Sequence, residues 1–220
     1  MALSVCINTC SLAPHAQTTL SSGYQPYGER AWFLRTVLLP LYRDWVPGLF
    51  REIVVVGEFE EGQGYTYVPC PSVFRSCADA LLQRQMGYDA LTKSCSWVLF
   101  QHDDMLWGPN NVVDPRTEAF VLSPSRWTQA RGPAEQLSDG FTTVAPDART
   151  AGLVGNGYVN GHACLVKPHV FREGFKWTDA APVFQWDTKV TARLKELNIP
   201  IKYAPELVTW DMERNAEPWR

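Results

Sequence analysis

The sequence predicts an α/β protein with a mostly parallel central sheet flanked by helices. Three observations predict it. Apolar runs occur at Ala2 to Ile7, interrupted by Ser4, and continuously at Ile53 to Val56 and Trp97 to Phe100, apolar residues recur at helical spacing between them, and the last run passes through Gln101 into His102-Asp103-Asp104. Unbroken apolar runs of this length suit strands covered on both faces, and strands alternating with helices give parallel pairing. Open α/β sheets bind ligands just beyond the carboxyl ends of such strands, so Asp103 and Asp104 stand where a ligand is expected. Two adjacent carboxylates near a core repel each other and lose hydration, and a bound divalent cation keeps both ionised.

The elements follow in order. Ala2 to Ile7 is the first strand, and the polar stretch to Gly28 is a loop at its carboxyl end. Leu34, Val37, Leu38, Leu41 and Trp45 mark a helix that Pro40 kinks or ends. Ile53 to Val56 is the second strand, Glu60 to Gly64 a turn, and Tyr65 to Val68 a short third strand. From an N-cap at Ser72, Phe74, Cys77, Leu81, Tyr88 and Leu91 form one face of a long helix that leads into Trp97 to Phe100. Residues 108 to 155 carry five prolines among many Gly, Asn and Ser and read largely as loop, with one strand at Glu118 to Leu122. His162 to Val166 is a strand, Trp186, Val190, Leu194 and Leu197 give a helix face, and Ile201 to Tyr203 is a last strand.

At 220 residues the chain can bury a full core, and its length favours one domain. A net charge of −3 gives no electrostatic case for a nucleic-acid or membrane partner. The N-terminus has no basic leader and no later run reaches membrane-spanning length, so a cytoplasmic location is expected. Six cysteines without a Cys-x-x-Cys pair, several within apolar runs, predict reduced core thiols rather than a zinc or disulfide framework. Nine tryptophans serve sugar stacking or packing equally well; Trp107, Trp127 and Trp177 are candidate sugar platforms, with packing the commoner use.

The order of these pieces resembles the family 2 glycosyltransferases, enzymes of the GT-A fold that move a sugar from a nucleotide donor to an acceptor, over nearly the whole chain. Ala2 to Thr9 is similar to the family's first strand, whose end faces the nucleotide, and Glu52 to Glu58 to the second, which ends in an acidic residue. The resemblance implies donor contacts for Thr9 and Glu58. Arg84-Gln85-Met86-Gly87 is similar to the family's Arg-Asn-x-Gly, with Gln85 replacing Asn, and implies that Arg84 supports the donor diphosphate. The family's Asp-x-Asp, which binds a cation and the diphosphate, falls on His102-Asp103-Asp104 with its first Asp replaced by His. By that match Asp104 ligates metal, and His102 and Asp103 bind donor ribose, metal or water.

Val159 to Ala163 occupies the place of the Gly-containing segment under the acceptor, which implies acceptor contacts for Gly161 and His162. Gln185-Trp186-Asp187-Thr188 resembles the acidic motif of inverting members, whose Asp is the catalytic base. The match assigns the base to Asp187, sets Trp186 beside the acceptor, and retains one carboxylate of the usual two. After the last strand, members place a metal-binding His; here Asp211, within Val208 to Met212, would take that role as a hard oxygen ligand. The implied whole is one GT-A domain over 1–220, with a Rossmann-like nucleotide-sugar-binding half at 1–107 and an acceptor-binding half at 108–220. The implied cofactor is Mn²⁺ or Mg²⁺, and the implied activity is an inverting hexosyltransferase using a nucleotide-sugar donor, a UDP-sugar by family habit. The acceptor stays open between glycan, protein, lipid-linked sugar and modified nucleobase.

Each role has a plainer alternative: Asp187 as a helix-start residue, Glu58 as a turn residue, Arg84 as a solvated helix residue. Two other functions compete. A sugar nucleotidyltransferase needs a Gly-rich basic loop after the first strand, and Asn8 to Gln17 has no Gly, Lys or Arg. A noncatalytic nucleotide-sugar- or glycan-binding protein is kept open by the His in place of the first Asp and the missing second acid near Asp187.

Overall fold

The computed structural model describes residues 2–9, 33–45, 47–70, 77–92, 95–108, 110–114, 116–129, 144–146, 157–180 and 186–211. Among the described residues nine strands make one sheet: β1 Leu3–Thr9, β2 Glu52–Gly57, β3 Thr66–Pro69, β4 Trp97–His102, β5 Met105–Trp107, β6 Val121–Gln129, β7 Val144–Pro146, β8 Ala163–Val166 and β9 Ile201–Asp211. Their order is β3-β2-β1-β4-β8-β6-β9-β5, with β7 beside β6. The first four strands pair in parallel, and so do β6 and β9; β8 runs antiparallel to both β4 and β6, and β5 antiparallel to β9. The fold is α/β with a central sheet flanked by helices, as the apolar runs predicted.

Alternation along the strands divides the core in two. Leu3, Val5, Ile7, Ile53, Val55, Trp97 and Leu99 pack with Leu34, Leu38 and Tyr42 of the helix over residues 33–45, here α1. Cys6, Val54, Val56, Val98 and Phe100 face the opposite way, toward Leu81 and Tyr88 of α2 (Cys77–Ala90), Val170 of α3 (His169–Arg172), and Val190 and Leu194 of α4 (Trp186–Glu196). Period-two burial on both faces is what requires the strands to be apolar throughout. Gly87 of α2 is the close-packing point: a Cβ there would lie 3.1 Å from Cys6 Cβ and from Val56 Cγ2.

Pro40 does not end α1. The chain passes it through two wide turns, Leu34–Leu38 and Leu41–Trp45, with the Leu39 amide donating to the Leu34 carbonyl five residues back. Proline removes one i→i−4 bond and crowds a carbonyl, and π-helical widening relieves both. The expected cap at Ser72 lies outside the described residues.

The largest departures fall in the second half. The stretch expected to be loop contains β6 and β7, and β6 starts at Val121 rather than Glu118 and continues through Pro124. Likewise β9 extends from Ile201 to Asp211 across Pro205. Both prolines fall where the β6–β9 register shifts, Pro124 opposite Ala204 but Ser125 opposite Val208. A bulge absorbs residues that cannot donate to the ladder, and the Ser125 hydroxyl serves the carbonyls of Pro205 and Leu207 at 3.1 and 2.9 Å.

Covalent and sheet distances together force curvature. Strand β5 stands four positions from β4 in the sheet order, about 19 Å away on a flat sheet. Yet only Asp103 and Asp104 separate His102 from Met105, a reach of at most ~11 Å. The sheet therefore curls at the carboxyl end of β4, and the acidic pair occupies the corner where its two halves meet. Among the described residues no helix is long and apolar enough to cross a membrane, and Cys6, Cys70, Cys95 and Cys164 are reduced thiols.

Candidate active site

The carboxyl ends of β1, β2 and β4 come into register at Asn8, which faces Val56 on one side and His102 on the other. Asp103 and Asp104 follow directly and are buried, at 1% and 4% exposure. The Thr9 hydroxyl donates to Asp103 Oδ2 at 2.6 Å. A hydrogen bond to an ionised oxygen is among the stronger ones, so this contact fixes Asp103 against the end of β1.

The turn between β4 and β5 is held from beneath. Gln101 Nε2 donates to the Met105 carbonyl at 2.8 Å, spanning the acidic pair. The Tyr42 hydroxyl donates to Gln101 Oε1 at 3.0 Å and accepts from the Trp107 amide at 2.8 Å. Burial raises the Tyr42 phenol far above its ordinary range, which keeps it a donor.

Asp211 arrives from the far end of the sheet order. In the β5–β9 ladder it pairs with Met105, the residue after Asp104, so β9 brings a third carboxylate residue to the acidic turn. Its side chain, like that of Trp186, lies outside the described residues. Among the described residues no cluster of three His, Cys, Asp or Glu side chains gathers around a point. The donor set nevertheless suits a hard divalent cation: carboxylate oxygens from Asp104 and Asp103 at a buried corner, with Asp211 in register beside them. Asn8 stands beside this corner, between Val56 and His102. Both its amide atoms are buried and meet no hydrogen-bond partner among the described residues.

Gly57 closes the neighbouring strand end. Its φ is +131°, and a Cβ there would collide with the Thr9 carbonyl oxygen, which also accepts from Gln83 Nε2 at 3.2 Å and from the Glu58 amide at 3.3 Å. Glu58 therefore starts from a backbone fixed to Thr9 and is half-buried.

Arg84 is buried rather than solvated. Its guanidinium donates to the Gly161 carbonyl at 2.8 Å and lies 5.0 Å from the centre of a Trp177 ring. Burial lowers its pKa, opposed by the neighbouring Cys164 and Cys6 thiols. It thus grips the segment that carries His162, whose carbonyl accepts from the His102 amide at 3.1 Å and whose ring lies 5.7 Å from that of His102. Asn160 shapes the same segment, its Oδ1 accepting from the His162 amide and its Nδ2 donating to the Pro124 carbonyl.

Asp187 lies in the first turn of α4, with Oδ1 accepting from the Thr188 amide at 2.9 Å. One turn on, the Thr191 hydroxyl accepts from the Val159 amide at 3.0 Å. Helix α4 hands the chain to Ile201, which pairs with Val121 at the end of the sheet remote from the acidic turn. Its first turn therefore points back toward the acidic end. Trp107 and Trp177 are fully buried and act as core, not sugar platforms; the Trp127 side chain lies outside the described residues. Thr9, Asp103, Asp104, His102, Gly161, His162 and the backbone of Asp211 thus gather at one sheet end. Tyr42, Gln101, Asn8 and Gly57 join them unannounced by the sequence.

No protein-family model and no curated protein sequence matches the chain. Among solved structures it is similar to GalNAc-T7 determined with UDP, GalNAc and Mn²⁺, at TM-score 0.54 and 10% identity, over 96% of this chain and 44% of that one. The catalytic domain of Drosophila β1,4-galactosyltransferase 7, in complex with xylobiose, aligns at TM-score 0.45 and 10% identity over 92% of this chain and 64% of that one. The chain spans less than half of the first of these structures and under two thirds of the second. At such identity the first match shows the shared GT-A fold.

Proposed function

We propose that the protein is a metal-dependent glycosyltransferase of family 2 type, moving a hexose from a nucleotide sugar, UDP-linked, to an acceptor hydroxyl with inversion. The observation that carries this reading is the buried Asp103–Asp104 corner at the carboxyl ends of parallel strands, with Asp211 in register next to it, on a fold similar to that of a protein solved with UDP and Mn²⁺. Residues 1–107 form the donor half and 108–220 the acceptor half in this proposal.

Asp104 and Asp211 would hold Mn²⁺ or Mg²⁺, which when bound supplies Lewis-acid stabilisation of the departing diphosphate. Asp103, locked by Thr9, and His102 face the donor, while Glu58 and Thr9 meet its nucleoside end. Arg84 acts through Gly161: by fixing that carbonyl it sets the floor that Gly161 and His162 offer the acceptor, with Trp186 alongside. Asp187, in the first turn of α4, accepts the acceptor's proton as the hydroxyl attacks the anomeric carbon from the face opposite the leaving group. A single displacement of this kind inverts the anomeric configuration.

The test is thermal shift and donor hydrolysis across UDP-, GDP-, CMP- and dTDP-sugars, with and without Mn²⁺, for wild type, Asp104→Ala and Asp187→Asn. Metal-dependent stabilisation by one donor, lost in Asp104→Ala, with slow hydrolysis lost in Asp187→Asn, supports the transferase. Binding without turnover would favour the noncatalytic reading, and no binding of any nucleotide sugar would sink both.

A further inference from the structure

Strand β4 is flanked by β1 on one side and β8 on the other. Both its edges are occupied, so β5 cannot fold back beside it as the second arm of a hairpin, and the acidic turn lacks the ladder that would normally fix its geometry. Its shape must come from other contacts. On the α1 side of the sheet these are side-chain bonds: Gln101 to the Met105 carbonyl across the turn, and Tyr42 to both Gln101 and the Trp107 amide. One buried hydroxyl thus ties the last residues of β4 to the far end of β5, on either side of Asp103 and Asp104.

The same helix reaches the other half of the donor site. From its exposed side, Arg35 pairs with Glu60 at 2.6 Å and Arg43 donates to the Gln63 carbonyl at 2.9 Å. These hold the stretch that follows Glu58. Helix α1 is therefore anchored at the end of β2 by its surface and at the acidic turn by its core.

We infer that Tyr42 is a positioning residue for the metal site: its hydroxyl, acting through Gln101 and the Trp107 amide, sets the spacing of the Asp103–Asp104 turn. The inference rests on the metal-dependent reading above. Tyr42 touches neither substrate nor cation. Groups that orient metal ligands from behind contribute about 10- to 100-fold to metal affinity, and the hydroxyl is the only atom that the phenylalanine variant removes.

The experiment titrates Mn²⁺ into the nucleotide-free chain by calorimetry, for wild type, Tyr42→Phe, Gln101→Met, the double variant, and Tyr65→Phe. Tyr65 is the control because its hydroxyl serves the Glu60 carbonyl on the surface. The expected result is Mn²⁺ affinity about tenfold weaker in Tyr42→Phe and in Gln101→Met. The double variant should lose no more than the worse single one, since both break the same link, and Tyr65→Phe should match wild type. In turnover, the Mn²⁺ concentration for half-maximal rate rises by the same factor in Tyr42→Phe while kcat at saturating Mn²⁺ stays within about twofold. A lowered Tm with unchanged Mn²⁺ affinity in both single variants would overturn the inference and leave Tyr42 a core residue. If Tyr42→Phe fails to fold, Gln101→Met decides alone. Wild type that binds no Mn²⁺ overturns the metal-dependent reading itself, whereas a wild type that binds and variants that bind equally well overturn the role of Tyr42 alone.

Discussion

Thr9 and Asp103, 94 residues apart, are joined by a 2.6 Å hydrogen bond that fastens the end of the first strand to the acidic turn. Asp103 is thereby oriented by the protein itself, and in the proposed reading its orientation decides how it meets a donor. Thr9→Val keeps the shape and removes the hydroxyl. A hydrogen bond to a charged group is worth about 1.5–3 kcal/mol, so donor affinity in the presence of Mn²⁺ should fall at least tenfold. Isothermal titration with the preferred nucleotide sugar measures it; an unchanged affinity would show that Asp103 needs no anchor.

Asn8 predicts a trade between stability and binding. Its two amide atoms meet no partner among the described residues, and a buried polar group left unpaired costs about 1–3 kcal/mol, so Asn8→Leu should raise Tm by about 2–12 °C for a chain of this size. The same change should weaken donor binding about tenfold. A Tm that rises with donor affinity intact would mean that the amide faces no ligand.

Gly57 admits no side chain. With φ at +131° and the Thr9 carbonyl oxygen in the place a Cβ would take, Gly57→Ala should cost more than about 3 kcal/mol. Chemical denaturation with urea reads this as a lowered midpoint, and the variant should also lose donor binding because Thr9 must shift.

Removing the proposed base separates chemistry from binding. Asp187→Asn should lower kcat by roughly 10²–10⁴ while donor KM stays within about threefold, as steady-state kinetics with a saturating acceptor would show. A large change in KM with kcat preserved would place Asp187 in donor binding.

The parallel half of the fold was legible because its strands are buried on both faces: Val54 and Val98, like Val5 and Leu99, are at 0% exposure, and such strands must be continuously apolar. Only the starts of β6 and β9 were readable; their continuation was hidden by Pro124 and Pro205, residues that argue against a strand unless a partner bulges at the same place. The acidic corner and the β9 carboxylate were readable as motif-like residues, and the ladder puts Asp211 opposite Met105. Tyr42 and Gln101 were not, since a Tyr on an apolar helix face and a Gln at a strand end carry no local sign of the 59-residue separation that their bond spans. Arg84 reads from sequence, by resemblance, as a donor-diphosphate residue; only its burial and its bond show that it serves the Gly161 carbonyl.

The position of β5 governs the order in which the chain can be finished during synthesis. Residues 105–107 leave the ribosome early, but their ladder partner among the described residues is Thr209 to Asp211, about a hundred residues later. Chains emerge from the N-terminus and fold as they go, so the parallel half can assemble while the acidic corner still lacks its outer wall. A nascent chain would pair its parallel strands before Asp211 could reach the acidic corner, so the proposed cation site would form only once β9 joins the sheet.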